Sequence, residues 1–467
     1  VTGDKIEQLM AFLGSLPETL ALRLAKAVEL DRLAEGKQLP HELILAGLRP
    51  VLRRSRLVDR TPSPKRFFCR PFDDLLVSTP RKAKQRGRIA RSSVDPIWNW
   101  LTQSVLPEQT AEYCRCVRQH ILAYELAEAD ACAAEYRSSA AQAMKDALAD
   151  ETARKSARLA LGGEMVLADA DEIALLLSIA PQITLLQTMT PKPVPSLTEE
   201  LLFRLRSAYD ALAGTHPDAA AYVAVIAMQR LERPWEALRL ALMVARQSQD
   251  TLISSTDMGI VGELLLADLD AHAVAIRSVK PPSFDAADLL DHVSGFTLLS
   301  NGLVKEIEVR RDGRWGQRLL KERASVAEIM DDLMRKATRD IVAALPTLKS
   351  GTYAGGPRVV DLTRPFDNEK GERAINYARL IAGCKPLAAA GSFAASLGEA
   401  DTEVCLALKA YCEDLLRELR ACEGERRERA ERYFELAVSL THTLLSAEEG
   451  EFMRRRGRAA VGAQVAA

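Results

Sequence analysis

The chain has 467 residues and a formal net charge of −1, with 48% hydrophobic, 27% charged and only 5% aromatic residues. This is the composition of a soluble folded protein with room for two to four domains or one extended repeat array. Ala, Leu, Arg and Glu dominate; they cost little in helices and cover helix surfaces well, which argues against a large sheet.

Residues 4–52 predict two or three short helices. Leu9, Phe12, Leu13 and Leu16 recur at helical spacing before Pro17, Leu20 to Leu30 repeat the pattern, and Leu43 to Leu52 carry a third. Charge then changes abruptly. Between Arg53 and Arg91 stand thirteen Lys/Arg and three Asp, a local charge of +10 that leaves about −11 for the rest of the chain. Prolines at 62, 64, 71 and 80 remove backbone donors, so 53–94 reads as a basic arm or loop. Asp95-Pro96 marks a helix start, with Asp as N-cap and Pro at the first helical position. The block 95–189 is Ala-rich and strongly helical: one extended helix or two from Glu108 to about Ala160, and another over Asp171 to Ala180.

Thr190 to Ser196 holds three prolines and reads as a linker, with Ser196 and Glu199 forming a capping box. The block 197–345 predicts antiparallel helix pairs, with helices near 217–231, 234–249, 257–278, 285–310 and 324–345. Ile307 to Trp315 alternates and contains Asp312-Gly313, so a small β-hairpin near 304–320 competes with a helix–turn–helix junction there. Residues 346–366 form an irregular connection, 367–457 a C-terminal helical block, and 458–467 a frayed tail. His216 to Arg246 has the length of one tetratricopeptide unit, whose first two positions Trp235 and Leu238 match. Arg239 and Leu242 stand where its glycine and tyrosine are expected. The resemblance implies helix-pair packing over this stretch and carries over no binding residue. The expected fold is all-α, built of stacked antiparallel helix pairs, either an irregular α-solenoid or two to three helical domains.

Motifs for chemistry are missing from the sequence. No GxSxG, HExxH, EF-hand or dinucleotide fingerprint occurs, and Gly355-Gly356-Pro357-Arg358 lacks the lysine-serine sequel of a phosphate loop. The eight cysteines read as reduced thiols acting as small core residues, as on the stripe of Cys405, Cys412 and Cys422 with Leu408, Leu415 and Leu419. That implies a reducing, cytoplasmic compartment. Cys114 and Cys116 are two apart and diverge on a helix, whereas Cys116 and His120 share a face. Cys132 with His41 or His272 would have to be brought in by folding, so no metal is assigned. Asp288 and His292 read as solvated or capping groups, and the six scattered histidines offer no triad. No catalytic residue and no cofactor is assigned. No apolar run approaches the length of a bilayer span; the longest, Ile173 to Met189, is broken by Pro181.

The basic arm remains. Lys65, Arg66, Phe67, Phe68 and Arg70 interleave cations with rings, as grooves for single-stranded nucleic acid do, and Arg81, Lys82, Lys84, Arg86 and Arg88 form a polybasic tract. Three roles fit, in this order: pinning to the chain's own acidic helices through Phe67, Phe68 and Phe72, docking on an acidic protein, and binding nucleic acid. The functional expectation is a non-enzymatic helical adaptor or regulatory scaffold in a bacterial-type cytoplasm. It holds a protein partner through its helical surface and these ten arm residues. A nucleic-acid-associated factor ranks second and an enzyme with a dispersed site third.

Overall fold

The computed structural model describes residues 3–33, 39–54, 63–78, 83–246, 253–254, 256–281, 283–349 and 358–465. Among them are twenty-one α-helices and two small two-stranded sheets, so the protein is all-α. None of these helices is long and apolar enough to cross a membrane. The chain divides into two compact units, 1–244 and 245–467, and the division falls inside the 197–345 stretch that the sequence presents as one block.

The first unit opens with α1 (Gly3–Gly14), α2 (Glu18–Leu33) and α3 (His41–Arg54), which close over Leu13, Ala21, Ala25, Leu48 and Val51. In the basic segment the prolines punctuate structure instead of preventing it. Pro64 starts α4 (Pro64–Cys69), where Ser63 caps the Arg66 amide, and Pro71 sits at the start of a 3-10 turn, Arg70–Leu75. Leu76–Val77 (β1) then pairs in parallel with Ile89–Ala90 (β2). Next come α5 (Val94–Trp100), α6 (Pro107–Ala123), α7 (Leu126–Ala147), α8 (Glu151–Leu161), α9 (Glu164–Ser178) and α10 (Ala180–Met189). The one or two helices expected over 108–160 are thus three. Tyr124, at φ 64°, breaks the first from the second, and Asp150 caps the third.

Thr190–Ser196 does not separate domains. The Val194 amide donates to Arg230 O at 2.8 Å, and its carbonyl accepts from Glu232 N at 2.9 Å, which stitches the segment to the end of α12 (Tyr222–Arg230). The cap of α11 (Glu199–Thr215) is Thr198, not Ser196. The stretch resembling a tetratricopeptide unit forms only α12 and α13 (Leu238–Ala245), of nine and eight residues, each entered through a 3-10 turn. α12 is buried from Tyr222 to Met228, the mark of an interior helix.

In the second unit α14 (Gly259–Ser278), α15 (Ala286–Glu306) and α16 (Arg314–Ala343) follow the predicted order. Residues 307–313 are a helix–turn–helix junction in which Gly313 N donates to Arg310 O, so the 304–320 hairpin does not form. The hairpin-like pair lies further on, inside the stretch read as irregular. Thr347–Lys349 (β3) and Arg358–Val360 (β4) are antiparallel, with Thr347 opposite Val360. The remaining helices are α17 (Asn368–Cys384), α18 (Ala388–Gly391), α19 (Ala394–Ala421), α20 (Gly424–Leu444) and α21 (Ala447–Val465). The segment taken for a frayed tail therefore continues α21. Cys384 and Cys412 are buried thiols, pushed up to about 12 and about 11 by desolvation, which bears out their reading as core residues.

Two close approaches organise this unit. Gly262 on α14 lets the Trp315 ring of α16 lie on its backbone, and a Cβ there would stand 2.1 Å from Trp315 Cη2. Trp315 is buried and its Nε1 donates to Glu263 Oε1 at 2.8 Å, so the ring cannot retreat without losing that bond. Gly262→Ala gains about 1 kcal/mol of helix propensity but overpacks a fixed indole, which costs about 1–3 kcal/mol. The expected result is a net loss of stability in urea titration, recovered in part by adding Trp315→Phe. The second approach is His272 of α14 to His292 of α15, Nδ1 to Nδ1 at 3.1 Å. Burial and the neighbouring imidazole hold the His272 pKa below its ordinary 6.5, against a smaller opposing pull from Asp268. Because the folded state favours the neutral ring, its stabilisation is complete above about pH 6.5 and is lost as pH falls through the depressed value. Thermal unfolding at about pH 7.5 and about pH 5.5 should show a larger drop for the wild type than for His272→Gln.

Candidate functional site

α9 explains the basic arm. Leu167, Ala170, Ile173, Ala174, Leu176 and Leu177 are all buried, so the helix is interior, yet Asp169 and Glu172 sit one turn apart among them at 0% and 6% exposure. Carboxylates removed from water need donors on every side. The segment 84–93 supplies them. The Lys84 ammonium meets both carboxylates and also donates to Arg88 O at 2.9 Å. Gly87 N donates to Glu172 Oε1 at 2.6 Å, Ala90 N to Asp169 Oδ2 at 3.0 Å, and Ser93 Oγ to Asp169 Oδ2 at 2.7 Å. The Tyr222 hydroxyl of α12 donates to Glu172, and burial next to that carboxylate pushes its pKa well up, so it stays a donor. Gly87 adopts φ 85°, and Arg88 N returns to Gln85 O at 3.2 Å, a tight turn for which glycine is the fitting residue. Ser93 precedes α5 but makes no cap bond with its side chain, because its hydroxyl serves Asp169.

Most of the other described arm residues are engaged in the same unit. Phe67 and Phe68, named both for pinning and for partner binding, are buried at 3% and 1%, the position the pinning role gives them. The Phe68 ring centroid lies 5.3 Å from Trp98 and 5.8 Å from both Phe72 and Tyr136, inside an aromatic cluster that includes the stacked Tyr113–Tyr136 pair. Tyr113 OH donates to Pro64 O at 2.6 Å, and the buried Arg137 guanidinium donates to Phe67 O, bolting α4 to α6 and α7. Lys65 pairs with Asp95, and Arg70 pairs with Asp130 while its guanidinium lies 5.2 Å from the Phe67 ring centroid. The Arg86 guanidinium donates to Asp218 O and lies 5.3 Å from the Tyr222 ring. Arg88 is half-buried and lends its carbonyl to Lys84, and Arg66 is exposed. Arg81 and Lys82 lie outside the described residues. Arg70 and Arg137 also line, with Asp130, a cavity of about 330 Å³.

A large concavity lies in the second unit, a groove of about 1030 Å³ between α17, α20 and α21. Each helix contributes one face at i, i+3, i+4, i+7: Asn368, Gly371, Glu372 and Ile375; Glu428, Glu431, Arg432 and Glu435; Arg454, Gly457, Arg458 and Val461. Leu419, Phe434 and Leu436 are buried and form the floor, while most of the charged residues are exposed and form the rim. A Cβ at Gly457 would stand 2.3 Å from the Phe434 ring, so that glycine sets how closely α21 approaches α20. Sequence reasoning missed this face because it read 458–467 as a frayed tail, which left Arg458 and Val461 off the helix.

A third cluster gathers residues that the sequence reading sets side by side: Cys116 and His120 share a face of α6, and folding brings Cys132 to them, without His41 or His272. Cys116 and Cys132, taken for reduced thiols, are joined as a disulfide, and His120 stands beside them. The six other cysteines are free.

Comparison of the chain with known protein families, with curated proteins and with solved structures finds no match.

The clamp on α9 is testable. Lys84→Met leaves two buried carboxylates without their cation and is expected to destabilise the chain by about 3 kcal/mol. That is the low end of the range for an orphaned buried charge, since the Lys84 side chain keeps 22% exposure. Adding Asp169→Asn and Glu172→Gln should restore most of the loss in urea titration, because both amides still accept from the same donors.

Proposed function

We propose that this chain is a non-enzymatic helical scaffold that holds a partner protein by an amphipathic helix, received in the groove of the second unit. The groove carries the reading. Three parallel strips of helix surface with an apolar floor offer what a helix-in-groove complex uses, and a helix presenting apolar residues at i, i+3, i+4 and i+7 matches that floor. The rim fixes the partner's chemistry further. Glu428, Glu431 and Glu435 line the α20 side with Arg432 among them, and Arg454 and Arg458 the α21 side. Glu431 also pairs with Arg427 and Arg454 with Glu451, which leaves Glu428, Glu435 and Arg458 as the main rim charges for a partner. The partner helix is therefore expected to be basic along one flank and acidic along the other. The described part of the basic arm supports this reading from within, by holding the first unit together rather than by facing a ligand.

A photo-crosslinking residue placed at Ile375 in the groove should join the chain to a segment with that apolar spacing and two-sided charge. The same residue at Leu406, which is 65% exposed on α19 outside the groove, should not. Ile375→Arg should weaken the isolated complex at least about tenfold, equivalent to about 1.4 kcal/mol, while leaving the circular dichroism unchanged. Adducts identical from both positions, or mapping to segments without the pattern, would sink the proposal.

A further inference from the structure

Cys116 and His120 lie one turn apart on α6, and Cys132 faces them from α7 across the tight α6–α7 connection. That connection is fixed by the left-handed Tyr124 and by Glu125 N donating to His120 O at 2.9 Å. Two sulfurs and one imidazole nitrogen result, each within 4.8 Å of the other two. Ligands at zinc–sulfur and zinc–nitrogen bond lengths in a tetrahedron stand about 3.5–3.8 Å apart, so small side-chain adjustments bring this set onto one ion. All three residues are half-buried, close enough to solvent for an ion to enter.

The disulfide alone does not account for the histidine. His120 Nδ1 is 2.8 Å from Glu125 Oε2, an arrangement that keeps the ring proton on Nδ1 and leaves the Nε2 lone pair for a ligand. Carboxylate support of this kind is what metal-binding imidazoles carry. A disulfide and a thiolate pair holding an ion are alternative states of the same two sulfurs, and a reductant converts the disulfide to the dithiol that can take up an ion.

We propose that the dithiol form of the α6–α7 hairpin is a zinc site, with Cys116 Sγ, His120 Nε2 and Cys132 Sγ as ligands and water in the fourth position. Two thiols and one divalent ion give two metal–thiolate bonds and two released protons, with no change of oxidation state. The soft, mixed sulfur–nitrogen donor set selects zinc or cobalt over calcium or magnesium. Glu125 is a positioning residue that acts through His120.

The test uses the full chain, reduced with a phosphine, freed of reductant without air, and titrated with Co²⁺ alone. One equivalent should produce a thiolate-to-cobalt charge-transfer band that Zn²⁺ then bleaches. Cys132→Ser and His120→Ala should abolish the one-equivalent endpoint, Glu125→Gln should weaken binding about 10–100-fold, and Cys114→Ser should change nothing. Should a variant fail to fold, the wild type still decides the matter. Zn²⁺ should slow alkylation of Cys116 and Cys132, read by mass spectrometry, and leave Cys114 unaffected. The proposal is overturned if the reduced chain takes up no stoichiometric metal, if the oxidised chain takes up as much, or if His120→Ala titrates like the wild type.

Discussion

Two carboxylates in the interior of the first unit set the terms for everything around them. Asp169 and Glu172 occupy adjacent turns of a helix that is otherwise apolar and enclosed. The effective penalty for burying such groups is several kcal/mol each, and a single ammonium does not cancel two negative charges. The balance is made by neutral donors: two backbone amides, a serine hydroxyl and a tyrosine hydroxyl, all aimed at the carboxylate oxygens. Because those donors come from α12, from the turn at Gly87 and from the approach to α5, one polar knot fixes the relative position of three parts of the unit. Its contribution is less net stability than uniqueness: an apolar core tolerates sliding, and a set of directed bonds does not.

The two units use charge in opposite ways. In the first, three of the described cations between Arg53 and Arg91, namely Lys65, Arg70 and Lys84, are paired with Asp95, Asp130, Asp169 and Glu172. In the second, Glu and Arg stand outward along helix faces and frame an apolar floor. A high local charge in the sequence can thus be met, in part, within the same unit. What distinguishes the two cases is whether a complementary charge is buried within reach.

Helix content and most helix positions were legible because they rest on local rules: apolar spacing, the scarcity of β-branched and aromatic residues, and prolines at first turns. The stretches 259–278, 286–306 and 368–384 match their apolar periodicity closely. The prolines of the arm misled because Pro64 and Pro71 begin helical turns, where no backbone donor is needed, instead of interrupting them. At Asp312-Gly313 the helix–turn–helix junction prevails over the hairpin because Gly313 serves as the helix entry. The disulfide, the groove and the meeting of Lys84 with α9 depend on residues brought together from afar, and no local periodicity reports that. One clue was present: Asp169 and Glu172 stand in an otherwise apolar helical repeat, and buried acids in such a place call for a basic segment elsewhere.

The clamp also bears on how the chain can be cut. Asp95-Pro96 looks like a natural beginning, with an irregular, proline-rich, basic stretch ahead of it and well-formed helices behind. A fragment starting there would retain α9 and Tyr222 but lose Lys84, the Gly87 and Ala90 amides and Ser93 together, leaving one hydroxyl to serve two enclosed carboxylates. Limited proteolysis within 55–62 would spare the knot, whereas trimming to residue 95 would undo it. The stretch that looks most dispensable is an internal strut, and the smallest autonomous form of this unit has to begin before it.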